Sequence, residues 1–371
     1  MADYRLIYTT LKTGAVIGEV PVIATSFSQG MNTAGSLNAS LLLEDTATME
    51  APDGVGGMVE ITTPQLVSAT SLAPGGTGVY LVRDGVILWG GVIWTLRMDV
   101  GSSEATIAAE GFMSYLRRVN IHSDLAYSGI DQGAIAKDLL ERAMARGGAD
   151  IGLTAPVPTP STSRDRVYPA IERKSYGSAI EQLAAVRDGF TWRFEHSWDE
   201  TLGGVDTTLQ LDVSPLGRLT SIVFDLGTNM ALLDLSLDGK AMTNYAEAWG
   251  AADVSERGFF RAAFDASAIT NFPLLEMKTS FSDVKSADTL QEKADEMIAR
   301  GASPLRRLKI EVFAGAVPVL GSYEVGDRVE CRGSYGGLSI SGIWRIVDFG
   351  LSVDTDGLES ISLGLVPQEV F

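Results

Sequence analysis

The sequence predicts a mainly β chain with α+β parts: two similar β-barrel-like domains plus two smaller α+β domains. Three observations carry this expectation. Short, partly alternating apolar segments bounded by Gly and Asn fill residues 1–112 and most of 217–371. Helical periodicity is confined to three segments near residues 131–146, 176–187 and 287–300. The end of the first β region is echoed at the end of the chain. With 371 residues, the chain is expected to hold two to three domains at about 150 residues each.

The first expected domain covers 1–112. Residues 13–20 and 36–43 read as strands, and 45–78 read as loop because glycine clusters at 54–57 and 75–78 interrupt any period. Asp84-Gly85 between two apolar runs is a strong short hairpin signal. Residues 93–96 and 105–109 continue the sheet. The second expected domain, 113–216, is α+β. Asp131 is placed to cap a helix carrying Ile135, Leu139 and Ala143, with Gly147 and Gly148 beyond its end. A second helix, 176–187, aligns Ile180, Leu183 and Ala184 on one face. Residues 190–194 and 207–213 read as a hairpin with a polar loop, 195–206. The second barrel-like domain is expected from 217–250 and 306–371. The inserted segment 251–305 is a small α+β unit whose helix carries Leu290, Ala294, Met297 and Ile298 and stops at Gly301.

The internal echo pairs Gly91 to Trp94 with Gly342 to Trp344. Each is followed by alternation, a polar turn and a closing strand that is apolar at every second residue. Upstream, Tyr80 is matched with Tyr323. Two copies of one β domain per chain have a geometric consequence. Three chains would place six similar units in a ring, since heterologous interfaces that close produce rings.

Composition excludes several function classes. With 47 acidic and 29 basic residues, net charge −18, the chain lacks the clustered Lys and Arg of a nucleic-acid binder. One cysteine, Cys331, and two histidines, His122 and His196, rule out an intrachain disulfide and a histidine-rich metal site. The N-terminal stretch has no apolar core and is not read as a signal peptide. The longest apolar run, 86–96, contains two glycines and is too short for about 30 Å of hydrocarbon, so no membrane insertion is expected.

Catalytic and cofactor motifs are incomplete. The glycines at 54–57 and 75–78 lack nucleotide-loop spacing, and Asp238-Gly239-Lys240 lacks the upstream glycine of a phosphate loop. Ser282 and Lys285 match S-x-x-K, but the K-T-G at Lys12 to Gly14 precedes rather than follows it. Asp354, Asp356 and Glu359 form half a calcium loop. Cys331 sits in an alternating strand and reads as a small packed residue. Tryptophans 89, 94, 192, 249 and 344 fall in strands and read as packing residues. Asp199 and Glu200, beside His196 and Trp198, are the candidate acid/base or sugar-binding group of an alternative reading, and a solvated hairpin tip is the simpler account. No catalytic residue, metal ligand or cofactor is assigned.

The elements around Leu6 to Tyr8 and Thr13 to Val20, the run Gly85 to Trp94, and the helix-then-strand ending with Leu320 to Val329 together resemble the minor tail proteins of long-tailed bacteriophages of actinobacteria. More broadly, they resemble the tail-tip or baseplate hub family. The resemblance implies a structural, non-enzymatic virion protein made in the host cytoplasm and located at the phage tail tip. It implies a homotrimer whose barrel domains form a ring continuing the tail tube. The implied partners are the distal tail protein, the tape-measure protein and the central fibre, with DNA passing through the lumen without specific binding. No wall-digesting extension is expected after Phe371. The alternative is a tail-associated carbohydrate-binding or wall-degrading protein. Loop 45–78 is expected to contact a partner, being long for an idle connection.

Overall fold

Fifteen strands hydrogen-bond into one sheet, and its path explains how distant parts of the sequence meet. The computed structural model describes residues 2–22, 24–42, 46–50, 58–62, 72–99, 104–186, 189–199, 204–212, 217–250, 259–281, 284, 286–313 and 315–368. Strands make up about half of it, so the chain is mainly β.

The chain opens with β1 (Tyr4–Thr10), β2 (Val16–Pro21), β3 (Ala24–Gly30) and β4 (Ser36–Leu42). Next come β5 (Thr46–Glu50), β6 (Met58–Thr62), β7 (Thr77–Arg83), β8 (Val86–Asp99) and β9 (Glu104–Glu110). The expected loop 45–78 therefore contains a hairpin, β5–β6, which pairs through β5 with β2. Thr46 to Glu50 alternates in sequence and Met58 to Thr62 lies between the glycine clusters, but five residues each give periodicity too little length. Asp84 and Gly85 form the expected tight turn with φ of 50° and 84°, the left-handed pair that Asp-Gly accepts most readily. The glycines within β8 answer to crowding. A Cβ on Gly91 would lie 2.4 Å from the Glu110 carbonyl oxygen, and one on Gly90 2.5 Å from the Tyr80 ring.

The α+β part holds α1 (Met113–Leu116), β10 (Leu125–Asp131), α2 (Gln132–Ala145), β11 (Ser163–Tyr168), α3 (Tyr176–Ala184), β12 (Thr191–Asp199) and β13 (Gly204–Asp212). Asp131 caps α2 by accepting hydrogen bonds from the Gly133 and Ala134 amides, and Ser175 caps α3. The hairpin β12–β13 extends well into the expected polar loop.

The chain continues with β14 (Leu219–Asp225), β15 (Met230–Asp238), β16 (Tyr245–Trp249), β17 (Phe260–Phe264), β18 (Glu276–Ser280) and α4 (Ala287–Gly301). It ends with β19 (Leu305–Val312), β20 (Arg328–Arg332), β21 (Ser334–Tyr335), β22 (Leu338–Ser339), β23 (Gly342–Val353) and β24 (Glu359–Pro367). Residues 217–250 were expected to belong wholly to the second β region. Instead β16 is the middle of a separate three-stranded sheet with β17 and β18, covered by α4 through Leu290 and Ala294.

Strand order repeats. The first half of the path runs β3-β4-β9-β8-β7-β1-β2 and the second β15-β19-β24-β23-β20-β14. Chain direction repeats too: β14 lies parallel to β20, while β2 and β7 run parallel with β1 inserted between them. In chain order, β2, β3, β4, β7, β8 and β9 thus correspond to β14, β15, β19, β20, β23 and β24. Each half begins and ends on strands adjacent in sequence. The hydrogen-bonded path itself stays open among the described residues.

The two central long strands carry a matching irregularity. The ladder to the next strand skips one residue, Trp94 in β8 and Val347 in β23. These bulges correct the sequence-based alignment. With the bulges superposed, Trp344 corresponds to Gly91, three residues from Trp94. Tyr323 precedes β20 in a turn, whereas Tyr80 lies inside β7. Side-chain type misled here because Trp344 and Trp89 both bury an indole, each 3% exposed, from non-equivalent positions.

The halves join where β3 pairs with β23, from Thr25 opposite Val353 to Gly30 opposite Asp348. Phe27 stacks on Phe349 with ring centroids 5.5 Å apart. One core runs through both halves, including Leu6, Leu37 and Leu81 with Ile310, Ile346 and Leu363. A second core packs α1–α3 and the β12–β13 hairpin onto the other face of β1 and β7 through Ile7, Tyr80 and Val82. Both faces of these strands are covered, which is why residues 79–82 read as a continuous apolar run rather than alternating.

The shared core makes both halves one cooperative unit. Phe349→Ala should cost about 3–5 kcal/mol and leave a single urea transition. A loss under about 1 kcal/mol, or separate unfolding of the halves, would contradict this account.

Candidate functional site

A cleft of about 310 Å³ lies where the β12–β13 hairpin meets β8 and residues 320–325. Its walls include Phe27, Arg193, His196, Tyr323 and Glu324. It contains the histidine of the candidate acid/base group, so its electrostatics decide whether that chemistry is available.

His196 is held as a packing residue. Its Nδ1 lies 3.1 Å from the Thr207 hydroxyl, which is also 3.1 Å from the Tyr80 hydroxyl. Its ring meets Tyr80 edge-on at 5.4 Å and Phe112 at 5.8 Å. Burial pushes its pKa down to about 3, so the imidazole stays neutral in the fold. Arg193 lies 3.0 Å from the Glu324 carboxylate, hydrogen-bonds Glu195, and donates to the Val325 carbonyl at 3.2 Å. These contacts tie the hairpin to the second half of the chain.

The candidate residues do not converge. β12 pairs with β13 without a bulge, so alternation puts Trp198 on the His196 face and Asp199 on the opposite one. Glu200 lies outside the described residues. The Trp198 indole N–H donates to the Gly85 carbonyl at 2.9 Å, resting the hairpin on the β7–β8 turn. Half of this group is therefore structural support rather than a solvated tip.

Other singled-out residues also have structural partners. Asp354 closes its turn by accepting from the Asp356 and Leu358 amides, both at 2.9 Å. Glu359 accepts from the Tyr4 hydroxyl at 2.8 Å and from Arg83 Nε at 3.0 Å, bridging the two halves. Among the described residues, no group of three or more His, Cys, Asp or Glu is placed to hold a metal. Cys331 is fully buried, and burial pushes its thiol up to about 12. Trp89, Trp192 and Trp344 are buried, while Trp94 lies under Arg118 at 4.0 Å and Trp249 stacks on Phe260 at 4.7 Å. Ser282, Lys285 and the glycines at 54–57 lie outside the described residues. No described helix is long and apolar enough to cross a membrane.

Among the described residues, some strand edges carry no second strand, two of them beside exposed apolar side chains. β15 ends the sheet path and pairs only with β19. β8 pairs with β7 up to Val92 and with β9 from Val92 onward, so residues 95–99 have one edge without a strand among the described residues. Met98, Leu233 and Leu237 beside these edges are 54%, 49% and 66% exposed. Sequence reasoning missed this pair of edges, because pairing partners cannot be read from the strands' own residues.

A pH test follows from His196. Its ordinary value is near 6.5 and its folded value about 3, so the unfolded chain binds the extra proton between them. This group's stabilisation is complete above about pH 6.5 and is lost as pH falls toward 3. Replacing it by Gln should lower Tm at pH 7, and the gap to the native chain should shrink as pH falls to 4. A constant gap would contradict the assignment.

No known family model matches the chain, and no curated protein matches it. Solved structures do. A tail protein from Neisseria meningitidis MC58 aligns with TM-score 0.61 at 12% identity, over 99% of this chain and 97% of that one. The 43 kDa tail protein of prophage MuSo2 from Shewanella oneidensis aligns with TM-score 0.61 at 12% identity over 99% of each chain. An Escherichia coli type VI secretion system component, described as structurally similar to bacteriophage T4 tail proteins gp27 and gp5, aligns with TM-score 0.50 at 13% identity, over 95% of this chain and 76% of that one. At such identities the likeness is one of fold, and from end to end this chain has the fold of prophage tail proteins.

Proposed function

We propose that this chain is a structural virion protein, the tail-tip or baseplate hub of a long-tailed phage. Its copies close into a ring that continues the tail tube. The carrying observation is the strand order that occurs twice in one chain whose whole length follows the fold of tail proteins. Contiguity supports reading each half as a barrel: β2 ends at Pro21 and β3 begins at Ala24, while β14 ends at Asp225 and β15 begins at Met230. A strand continuing across each short junction would close the path on itself.

With two barrels per chain, a homotrimer presents six similar units, matching a tube of sixfold symmetry. The α+β segments, 113–216 and the insertion near 251–305, decorate that ring. The net charge of −18 per copy suits a lumen through which DNA slides without sticking. The distal tail protein, tape-measure protein and central fibre are the partners such a position calls for. The β5–β6 hairpin, at the other end of the sheet path, is the segment we assign to a partner contact.

Two measurements test this reading. Mass in solution and electron microscopy of the purified chain should give a threefold ring with a central hole. A monomer at all concentrations would overturn the ring. Asp199→Asn with Glu200→Gln should leave phage infectivity unchanged, whereas loss of a measurable wall-hydrolysing activity would favour the enzymatic reading.

A further inference from the structure

The sheet contains a worked example of how one half binds the other, and the surfaces equivalent to that contact, on β8 and β15, carry no strand among the described residues. Within the chain, β23 continues past its β20 pairing and adds to β3. The strand equivalent to β23 is β8, whose edge along 95–99 carries no second strand among the described residues. The strand equivalent to β3 is β15, whose outer edge carries none among them either. We infer that residues 95–99 of β8 in one copy add to residues 234–238 of β15 in the next copy, antiparallel and in the register that β23 uses on β3. The inference rests on the ring reading above and names the strands that close it.

Bulges and ladders fix the register. Superposing the bulged residues Trp94 and Val347 places Thr95 to Asp99 on Asp348 to Ser352. Across the next ladders, Leu37 opposite Ala109 corresponds to Leu308 opposite Leu365. Phe27 opposite Leu37 then corresponds to Leu235 opposite Leu308. Leu233 is an extra residue skipped by the β15–β19 ladder. Within the chain, Phe349 faces Gln29 and Leu351 faces Phe27. Between copies, Leu96 therefore faces Leu237 and Met98 faces Leu235.

The apolar face agrees with that register, and on the polar face Arg97 gains two carboxylate neighbours while Asp99 meets one. Leu351 and Phe27, covered within the chain, are 2% and 5% exposed, whereas the equivalent Met98 is 54% exposed and Leu237, next to Leu235 on the same face, 66%. Leu96 and Leu235 already pack at the margin of the shared core, so the apolar row would extend that core across the junction. On the other face, Arg97 lies opposite Ser236 and diagonal to Asp234 and Asp238, within reach of both. Asp99 faces Asp234, which Lys309 flanks on β19. A slip of one residue would turn Arg97 and Asp99 onto the apolar row. Each copy offers one edge of each kind, so the contact is head-to-tail and propagates until the ring closes.

Paired cysteines test the register. Cys331 is buried and does not compete. Oxidised Leu96→Cys with Leu237→Cys should run as a covalent ladder on a non-reducing gel. Leu96→Cys with Ser236→Cys, whose side chains point to opposite faces, should not. Met98→Lys with Leu237→Lys, both more than half exposed in the single chain, should keep the monomer's Tm within a few degrees and weaken self-association at least tenfold. If the native chain forms rings while the Lys pair associates normally and the first Cys pair gives no ladder, this interface is wrong and the ring reading survives. If the native chain stays monomeric at every concentration, both fall.

Discussion

The antiparallel pairing of β3 with β23 is the contact on which the rest of the molecule depends. It joins positions 25–30 to 348–353, nearly the full length of the chain. Loop-closure entropy grows only logarithmically, about 0.6 kcal/mol per doubling of loop length, so this distance costs little more than a moderate one. Against that cost stand six paired positions, the Phe27–Phe349 stack and the Glu359 carboxylate that takes hydrogen bonds from Tyr4 and Arg83. Glu359 is mostly shielded, its side chain 12% exposed, and removing one partner would leave the others desolvated and unpaired. Everything between residues 31 and 347 is consequently held as an excursion from one seam.

That arrangement accounts for where polar side chains go. The α+β segment lies on the outer face of β1 and β7, which requires a tight fit around Tyr80, Phe112 and the β12–β13 hairpin. His196, Thr207 and Tyr80 satisfy one another inside that fit, and Arg193 reaches the 324–325 turn from its margin. A histidine neutral at every physiological pH and a thiol pushed far above its ordinary value are both poor reagents and good fillers. His196, part of the candidate acid/base group in the sequence, is thereby used to orient one layer on another.

Local signals in the sequence were faithful where a few neighbouring residues decide the outcome. Asp131, Gly85 and the helix stripes each act over one turn of chain, and each forms what its chemistry favours. β3 shows the opposite case. Its seven residues, ATSFSQG, hold one large apolar side chain, and its strand state comes from β4 on one side and β23 on the other. β16 has ordinary strand patterning, yet its residues carry no mark of which sheet they join. The duplication was visible as an echo of glycine and tryptophan, but the equivalence lies in strand order and in two bulges. A bulge is set by ladder geometry rather than by residue type, so matching indoles gave a register three residues out. Asp199 and His196 looked adjacent because they are close in sequence, and the length of β12 is what sends them to opposite faces.

Exposed strand edges are ordinarily a liability, since they template pairing with any extended chain. The two edges here are guarded in ways that narrow the choice of partner rather than abolish it. β15 carries the bulge at Leu233, which twists its edge, and alternates leucines with Asp234 and Asp238. The free part of β8 alternates Leu96 and Met98 with Arg97 and Asp99. A second β15 presented to β15 would set its aspartates against each other. A second β8 presented to β8 would set Arg97 on Arg97 or Asp99 on Asp99 in two registers and pair Arg97 with Asp99 in a third. β8 against β15 is the combination in which apolar meets apolar while Arg97 sits between two carboxylates. Discrimination of this kind needs only a few tenths to about 1 kcal/mol per cross-strand pair, summed over a handful of pairs, to favour one register of one partner over self-pairing of either edge.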